Sequence, residues 1–135
     1  MTEERPLTRH ASCRCGQLRA ACAGEPVRVS VCHCLDCQRR SGSAFAAQAR
    51  WPAAAVAITG ASSTWSTPGE GGPSTFYFCP DCGGTVHYSS GSLPDLVAIP
   101  LGAFADPLFP APHFSIYENR KHAWLEITGA GIEHD

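Results

Sequence analysis

Cysteine spacing limits what this 135-residue chain can fold into more than any other feature, because seven of its eight cysteines lie in three short clusters. The clusters are Cys13-Arg14-Cys15, Cys32-His33-Cys34-Leu35-Asp36-Cys37 and Cys79-Pro80-Asp81-Cys82. Cysteines at such spacings are typical zinc ligands, and a closed structural site takes four of them, whereas a reactive site leaves one coordination position open. Seven clustered cysteines therefore predict one closed and one open site. Cys22, outside the clusters, is predicted to be an inert buried thiol.

The redox compartment follows from the same cysteines. Eight cysteines in a small secreted protein would suggest disulfides. Residues 1–10 are polar and lack the pattern of a secretory signal, and no apolar run approaches the length of a membrane span. We therefore expect metal ligation in a reducing cytoplasm and no membrane partner. A net charge of −2, without a basic stripe, argues against a nucleic-acid partner.

Short alternating segments, separated by 13 glycines and 11 prolines, predict a mainly β fold. The length suits a single domain over residues 1–135. Strands are expected near residues 17–22, 26–31, 45–51, 56–59, 63–66, 75–78, 85–88, 96–100, 113–117 and 124–127. One short helix is expected from about Leu35 to Arg40.

The first and third cysteine pairs each precede glycine, at Gly16 and at Gly83 and Gly84. Glycine there lets backbone amides approach the sulfurs without a Cβ clash, as in a metal knuckle. One zinc joining the two pairs would tie the first strand to the middle of the chain, and its binding energy would become folding energy. The closed site is therefore predicted on Cys13, Cys15, Cys79 and Cys82.

The central cluster would place three thiolates on one zinc. His33 is an alternative fourth ligand, and all seven cysteines being structural is another alternative. Zinc with three thiolates acidifies water weakly but accepts sulfur as a soft ligand, which favours a thiol-containing substrate. Arg39 and Arg40 follow Cys37 directly. Their guanidinium groups could bind a substrate carboxylate, or simply be a solvated pair.

These clusters, together with their flanking residues, resemble the glutathione-dependent formaldehyde-activating enzyme family, which also includes centromere protein V. The matching segments span about residues 8 to 128. They are Ser12-Cys13-Arg14-Cys15-Gly16, the run from Cys32 to Ser43, Phe78-Cys79-Pro80-Asp81-Cys82-Gly83, the segment from Asp106 to Phe114, and Lys121-His122-Ala123-Trp124.

The resemblance implies a β-tent fold of small antiparallel sheets organised around a structural zinc on the four paired cysteines. It implies a second, catalytic zinc on Cys32, Cys34 and Cys37. The activity it implies is condensation of formaldehyde with glutathione to S-hydroxymethylglutathione, a carbon–sulfur lyase reaction. A non-enzymatic, zinc-stabilised binding module is the alternative function. Monomer and homodimer both stay open.

Further candidates for the site come from the second half of the chain. His113 matches a family position and could donate or accept a proton, although a structural histidine on a strand is the alternative. Aromatic side chains could wall a substrate pocket or belong to the core. These are Phe45, Phe114, Tyr117 and Trp124.

Overall fold

The computed structural model describes residues 7–68 and 72–135, which form eleven strands, one α-helix and three 3-10 helices. The strands are β1 (Thr8–Ser12), β2 (Arg19–Ala23), β3 (Arg28–Cys32), β4 (Ala46–Pro52), β5 (Val56–Thr59), β6 (Ser63–Thr67), β7 (Ser74–Phe78), β8 (Thr85–Ser90), β9 (Leu93–Pro100), β10 (Phe114–Ile116) and β11 (Glu133–His134). Helix α1 spans Leu35–Ser41. The 3-10 helices are Ala53–Ala55, Leu101–Phe104 and Glu118–Arg120.

The strands form two sheets, and the mainly β prediction is confirmed. A three-stranded antiparallel sheet has the order β1-β2-β5, and an eight-stranded sheet has the order β11-β10-β3-β4-β9-β8-β7-β6. In the larger sheet β10 pairs in parallel with both β3 and β11, and the other pairings are antiparallel. A strand that arrives through a long connection is free to pair in parallel, because no hairpin fixes its direction.

The core is centred on Trp51, which is fully buried together with Leu18 and Ile99. The Trp51 ring packs 5.6 Å from the ring of Phe104, and its Nε1–H donates to the Gly24 carbonyl at 3.0 Å. The large apolar ring is therefore buried with its polar atom satisfied. Cys13, Cys22 and Cys79 belong to the same buried cluster, so the first and third cysteine pairs lie at the edge of the core.

Most predicted elements are present at about their expected positions, including the helix. Ala20 and Cys22 are buried on one face of β2, as the alternation predicts. The strand predicted over residues 124–127 is wrong: this segment contains a turn, in which Leu125 N–H donates to the His122 carbonyl. β1 was not expected, since its sequence is largely polar. Among the described residues, none of the helices has the length and apolarity needed to cross a bilayer.

Candidate metal centres and the adjoining groove

The first and third cysteine pairs meet in space. The Sγ atoms of Cys13, Cys15, Cys79 and Cys82 all lie within 4.8 Å of one another. The Cys13–Cys15 and Cys15–Cys79 Sγ distances are both 3.6 Å. Four sulfurs about 2.3 Å from a tetrahedral zinc would be separated by about 3.8 Å, so the donor set fits a closed zinc site. Cys13 follows β1 and Cys79 follows β7, so this cluster joins the two sheets.

Each pair has the backbone of a metal knuckle. Gly16 and Gly83 have φ of 83° and 79°, and their N–H groups donate to the carbonyls of Cys13 and Cys79 at 3.1 and 2.8 Å. This left-handed conformation favours glycine at both positions. The predicted Cβ clash is found at Gly84, where an added Cβ would lie 3.3 Å from Cys13 Cβ, but not at Gly83. Backbone N–H groups, from Cys15 and then from Gly84, lower the pKa of the Cys82 thiol to about 6. At Cys82 these backbone groups therefore favour thiolate, the form that binds a metal.

Gln17 is a neighbour of the closed cluster that the spacing alone does not reveal. Its Nε2 donates to Cys79 Sγ at 3.2 Å and to the Ala61 carbonyl, while its Oε1 accepts from Ala61 N–H at 2.9 Å. Gly60 passes so close that an added Cβ would lie 2.0 Å from the Gln17 carbonyl oxygen. Gln17 thus links the Cys79 sulfur to the β5–β6 connection. Glycine is required at position 60, because any larger residue would clash with Gln17.

The central cluster also converges: the Sγ atoms of Cys32, Cys34 and Cys37 lie within 4.8 Å of one another. Cys32 is the last residue of β3, Cys34 caps α1, and Cys37 lies within α1, where its N–H donates to Cys34 Sγ at 3.3 Å. The Cys37–Cys32 hydrogen bond lowers the pKa of Cys32 and raises that of Cys37. Three converging sulfurs provide a donor set that leaves one tetrahedral position open.

Gln38 holds this loop in place. Its Nε2 donates to the carbonyls of His33 and Arg120 at 2.8 and 3.2 Å, and its Oε1 lies 2.9 Å from His122 Nε2. The helix that carries Cys37 is thereby tied to the segment between Cys32 and Cys34. Both residues lie in segments that the sequence analysis singled out, but the contact between them is visible only in the fold.

Neither of the two histidines considered for the site belongs to the ligand group of the central cysteines. His33 is fully buried, its Nε2 lies 2.9 Å from Ser115 Oγ, and burial lowers its pKa. Its ring nitrogens are not part of the ligand group that the three cysteines form. His113 is exposed, and its Nδ1 accepts from Val29 N–H at 3.4 Å. Val29 precedes Cys32 by three residues in β3, which separates their Cα atoms by about 10 Å. A catalytic role for either imidazole stays a prediction.

A groove of about 850 Å³ adjoins the central cluster, with Cys32 and Cys37 in its wall. Both predicted arginines, Arg39 and Arg40, line it, and so does Arg50, which sequence reasoning missed. Asp36 is the acidic residue of this lining. The ion pairs among residues 7–68 and 72–135 involve Arg9 and His134, so the three groove arginines have no carboxylate partner in that part of the chain. The described lining of the groove therefore carries net positive charge beside the cysteines.

The aromatic side chains of the groove differ from those the sequence singled out. Phe45, Phe114, Tyr117 and Trp124 do not line it, and Trp124 is 73% exposed. The aromatic wall comes instead from neighbouring strands, with Trp65 on β6, Phe76 and Phe78 on β7, and Tyr88 on β8. Alternation along a strand shows that two faces differ, but which face meets the helix depends on how the sheet assembles.

Two polar groups of the groove are buried. Tyr88 is 6% exposed, and burial raises the pKa of its phenol to about 12, so it keeps its proton at neutral pH. Gln48 is 3% exposed; its Nε2 donates to Ser30 Oγ at 2.7 Å, and its Oε1 has no partner among the described residues. A buried amide oxygen without a donor is uncommon and is a candidate acceptor for a ligand N–H.

Fold and site together define a mainly β protein with a four-cysteine and a three-cysteine cluster, each able to hold a metal ion. The family model of the glutathione-dependent formaldehyde-activating enzyme matches residues 8–120. The chain therefore belongs to the glutathione-dependent formaldehyde-activating enzyme family.

Two further comparisons bear on the fold. The crystal structure of a Rhodobacter sphaeroides protein, a Northeast Structural Genomics target, superimposes with a TM-score of 0.54 at 22% identity, covering 70% of this chain and 85% of that one. At this identity the likeness shows the fold alone. No curated protein matches the sequence.

Proposed function

We propose that the protein is a zinc-dependent enzyme of carbon–sulfur lyase type that acts on thiol–carbonyl adducts, with glutathione and formaldehyde as the substrates the family suggests. The observation that carries the proposal is the convergence of Cys32, Cys34 and Cys37 at a groove lined by arginines. In the condensation, the thiol sulfur forms a bond to the carbonyl carbon, and the thiol proton is transferred to the carbonyl oxygen. The lyase direction reverses both changes, and no oxidant is needed.

Cys32, Cys34 and Cys37 would hold the second zinc, and Cys13, Cys15, Cys79 and Cys82 the structural one. Zinc bound by three thiolates supplies an open coordination position with affinity for sulfur. The protein's own contribution is to orient the reactants. Arg39 and Arg40 bind a substrate carboxylate, and the half-enclosed groove keeps thiol and carbonyl together, which can supply much of the acceleration.

Transfer of the proton to the carbonyl oxygen is assisted by a hydrogen-bond donor near that oxygen. The Tyr88 phenol lines the same groove as Cys32 and Cys37 and stays protonated at neutral pH, so it is suited to donate a hydrogen bond to that oxygen. His113 is the candidate from the sequence, and its role as a proton donor or acceptor stays a prediction. A reducing cytoplasm would keep the thiols available, in line with the predicted localisation.

Exchange spectroscopy by NMR tests the proposal on zinc-loaded protein mixed with formaldehyde and glutathione. We expect faster exchange between free and adduct signals with the wild type and no acceleration with Cys37→Ser. Cys22→Ser is the matched control, because Cys22 is buried in the core, outside both clusters. No acceleration by wild type that holds two zincs would leave the binding-module alternative in place.

A further inference from the structure

The lining of the groove is more aromatic than a small polar thiol requires. A continuous path leads from Cys37 to Arg40, one helical turn later in α1. The Arg40 guanidinium carbon lies 4.9 Å from the ring centroids of both Phe76 and Tyr88. Phe76 in turn stacks on Trp65, with centroids 6.0 Å apart and an interplanar angle of 27°. The groove thus runs from sulfur ligands, past a cation, to an aromatic surface.

Trp65 is the exposed end of this path. It lies on β6, the last strand in the order of the eight-stranded sheet, and is 58% exposed although it is stacked on Phe76. A large aromatic side chain at the mouth of a charged groove offers a flat surface on which a planar or apolar group can be buried. Glutathione has no such group, so the Trp65 surface has no use in binding it.

The charged and polar side chains of the groove indicate which polar groups a ligand would carry. The Arg40 guanidinium carbon lies beside two aromatic rings, and Arg40 has no carboxylate partner among the described residues, so its N–H groups can bind an anion. Arg50 lies in the same lining and donates to Ser30 Oγ at 3.4 Å. Beside them, the unpartnered Gln48 Oε1 offers an acceptor for an amide N–H. These groups match an acidic, amide-containing molecule.

We propose that the substrate of this protein is an acidic, peptide-like thiol that carries a planar or apolar group beyond its acidic group, and that Trp65 determines this specificity. The sulfur lies at the central cysteine cluster, the carboxylate at Arg40 with Arg39 and Arg50 in the same lining, and the planar group on Trp65 and Phe76. This inference rests on the proposed function in one respect, since it takes the cysteine end of the groove as the place of the sulfur.

Two tripeptides of equal charge test the inference: γ-glutamyl-cysteinyl-phenylalanine, and glutathione, which has glycine at the same position. Isothermal titration calorimetry under anaerobic conditions measures their affinities for zinc-loaded protein. We expect the phenylalanine tripeptide to bind about tenfold more tightly to the wild type, because its ring buries apolar surface on the aromatic wall. Trp65→Ala should reduce this preference to about twofold or less.

Trp124→Ala is the matched control, since Trp124 is also exposed but does not line the groove. It should keep the preference. Equal affinities of the two tripeptides for wild type would overturn the inference, as would a preference that survives Trp65→Ala in folded protein. Adduct exchange measured in parallel separates the two proposals: a tripeptide preference without catalysis supports the groove assignment and contradicts only the proposed chemistry.

Discussion

At the scale of single residues, the central cluster and its groove divide their tasks among side chains of different chemistry. Cysteine sulfurs provide the soft donors, arginines provide positive charge, and a buried phenol keeps its proton. Arg40 links these parts, because it lies one turn beyond Cys37 and packs on the aromatic wall. Substitution of one side chain should therefore affect one task at a time.

Arg40→Gln should weaken thiol binding roughly ten- to a hundredfold. A charge-assisted hydrogen bond to a carboxylate contributes on the order of 1.5–3 kcal/mol, and the glutamine amide cannot replace it. Titration calorimetry with glutathione measures the change. Arg28→Gln is the control, because Arg28 also packs on an aromatic ring, that of Phe114, but lies outside the groove. Equal weakening by both variants would contradict a specific role for Arg40.

Tyr88→Phe should slow adduct exchange on the order of a hundredfold while leaving thiol affinity nearly unchanged, because only the hydrogen bond to the carbonyl oxygen is lost. His113→Gln should leave the exchange rate unchanged if Tyr88 is the donor. NMR exchange rates and calorimetry on both variants decide between the two residues. Loss of exchange in His113→Gln alone would identify His113, and not Tyr88, as the residue that transfers the proton.

At the scale of elements, both clusters are built where a strand ends and the chain turns. Cys13 follows β1, Cys79 follows β7, and Cys32 ends β3 immediately before α1. Glycine after a cysteine pair is a local requirement and could be predicted from the sequence. Gln17 and Gly60 belong to different turns, and their close approach was not predictable, because it depends on how β2 and β5 pair.

Gly60→Ala should be much more destabilising than Gly24→Ala. Both glycines have positive φ, at 100° and 78°, but an added Cβ meets the Gln17 backbone at 2.0 Å in the first case and nothing within 4 Å in the second. Overpacking of this kind costs about 1–3 kcal/mol beyond the backbone strain that both variants share. Urea unfolding measures the difference. Equal midpoints for the two variants would contradict the close approach.

The same reasoning explains which elements the sequence could predict. β2 and α1 were predicted because alternation and the cysteine spacing are local signals. The segment 124–127 was expected to be a strand too, yet it is not one, since pairing with a neighbour and not composition alone makes a strand. The groove's aromatic wall depends on three strands brought together by the sheet, and no local signal marks which ring faces the helix.

At the scale of the whole molecule, the two clusters have different positions relative to the core. The four-cysteine cluster joins the two sheets and shares Cys13 and Cys79 with the buried core. The three-cysteine cluster lies at the groove, on one helix and the end of one strand. That the chain acts as one domain over residues 1–135 stays a prediction, as does its state of assembly.

This difference predicts opposite results for two equivalent substitutions. Cys79→Ser should unfold or aggregate the protein, because the binding energy of a metal held there would be part of the folding energy where the sheets join. Cys34→Ser should leave a folded protein, because the groove cluster joins no second sheet. Thermal unfolding followed by circular dichroism compares the two. Equal loss of structure in both variants would mean that all seven clustered cysteines are structural.

Counting zinc by native mass spectrometry on freshly purified protein tests the central claim most directly. The account predicts two zincs per chain in the wild type and one in folded Cys34→Ser. A wild-type chain without zinc and with its cysteines in disulfides would contradict both metal centres. A single zinc in the wild type that Cys34→Ser retains would contradict the open site, and with it the proposed chemistry.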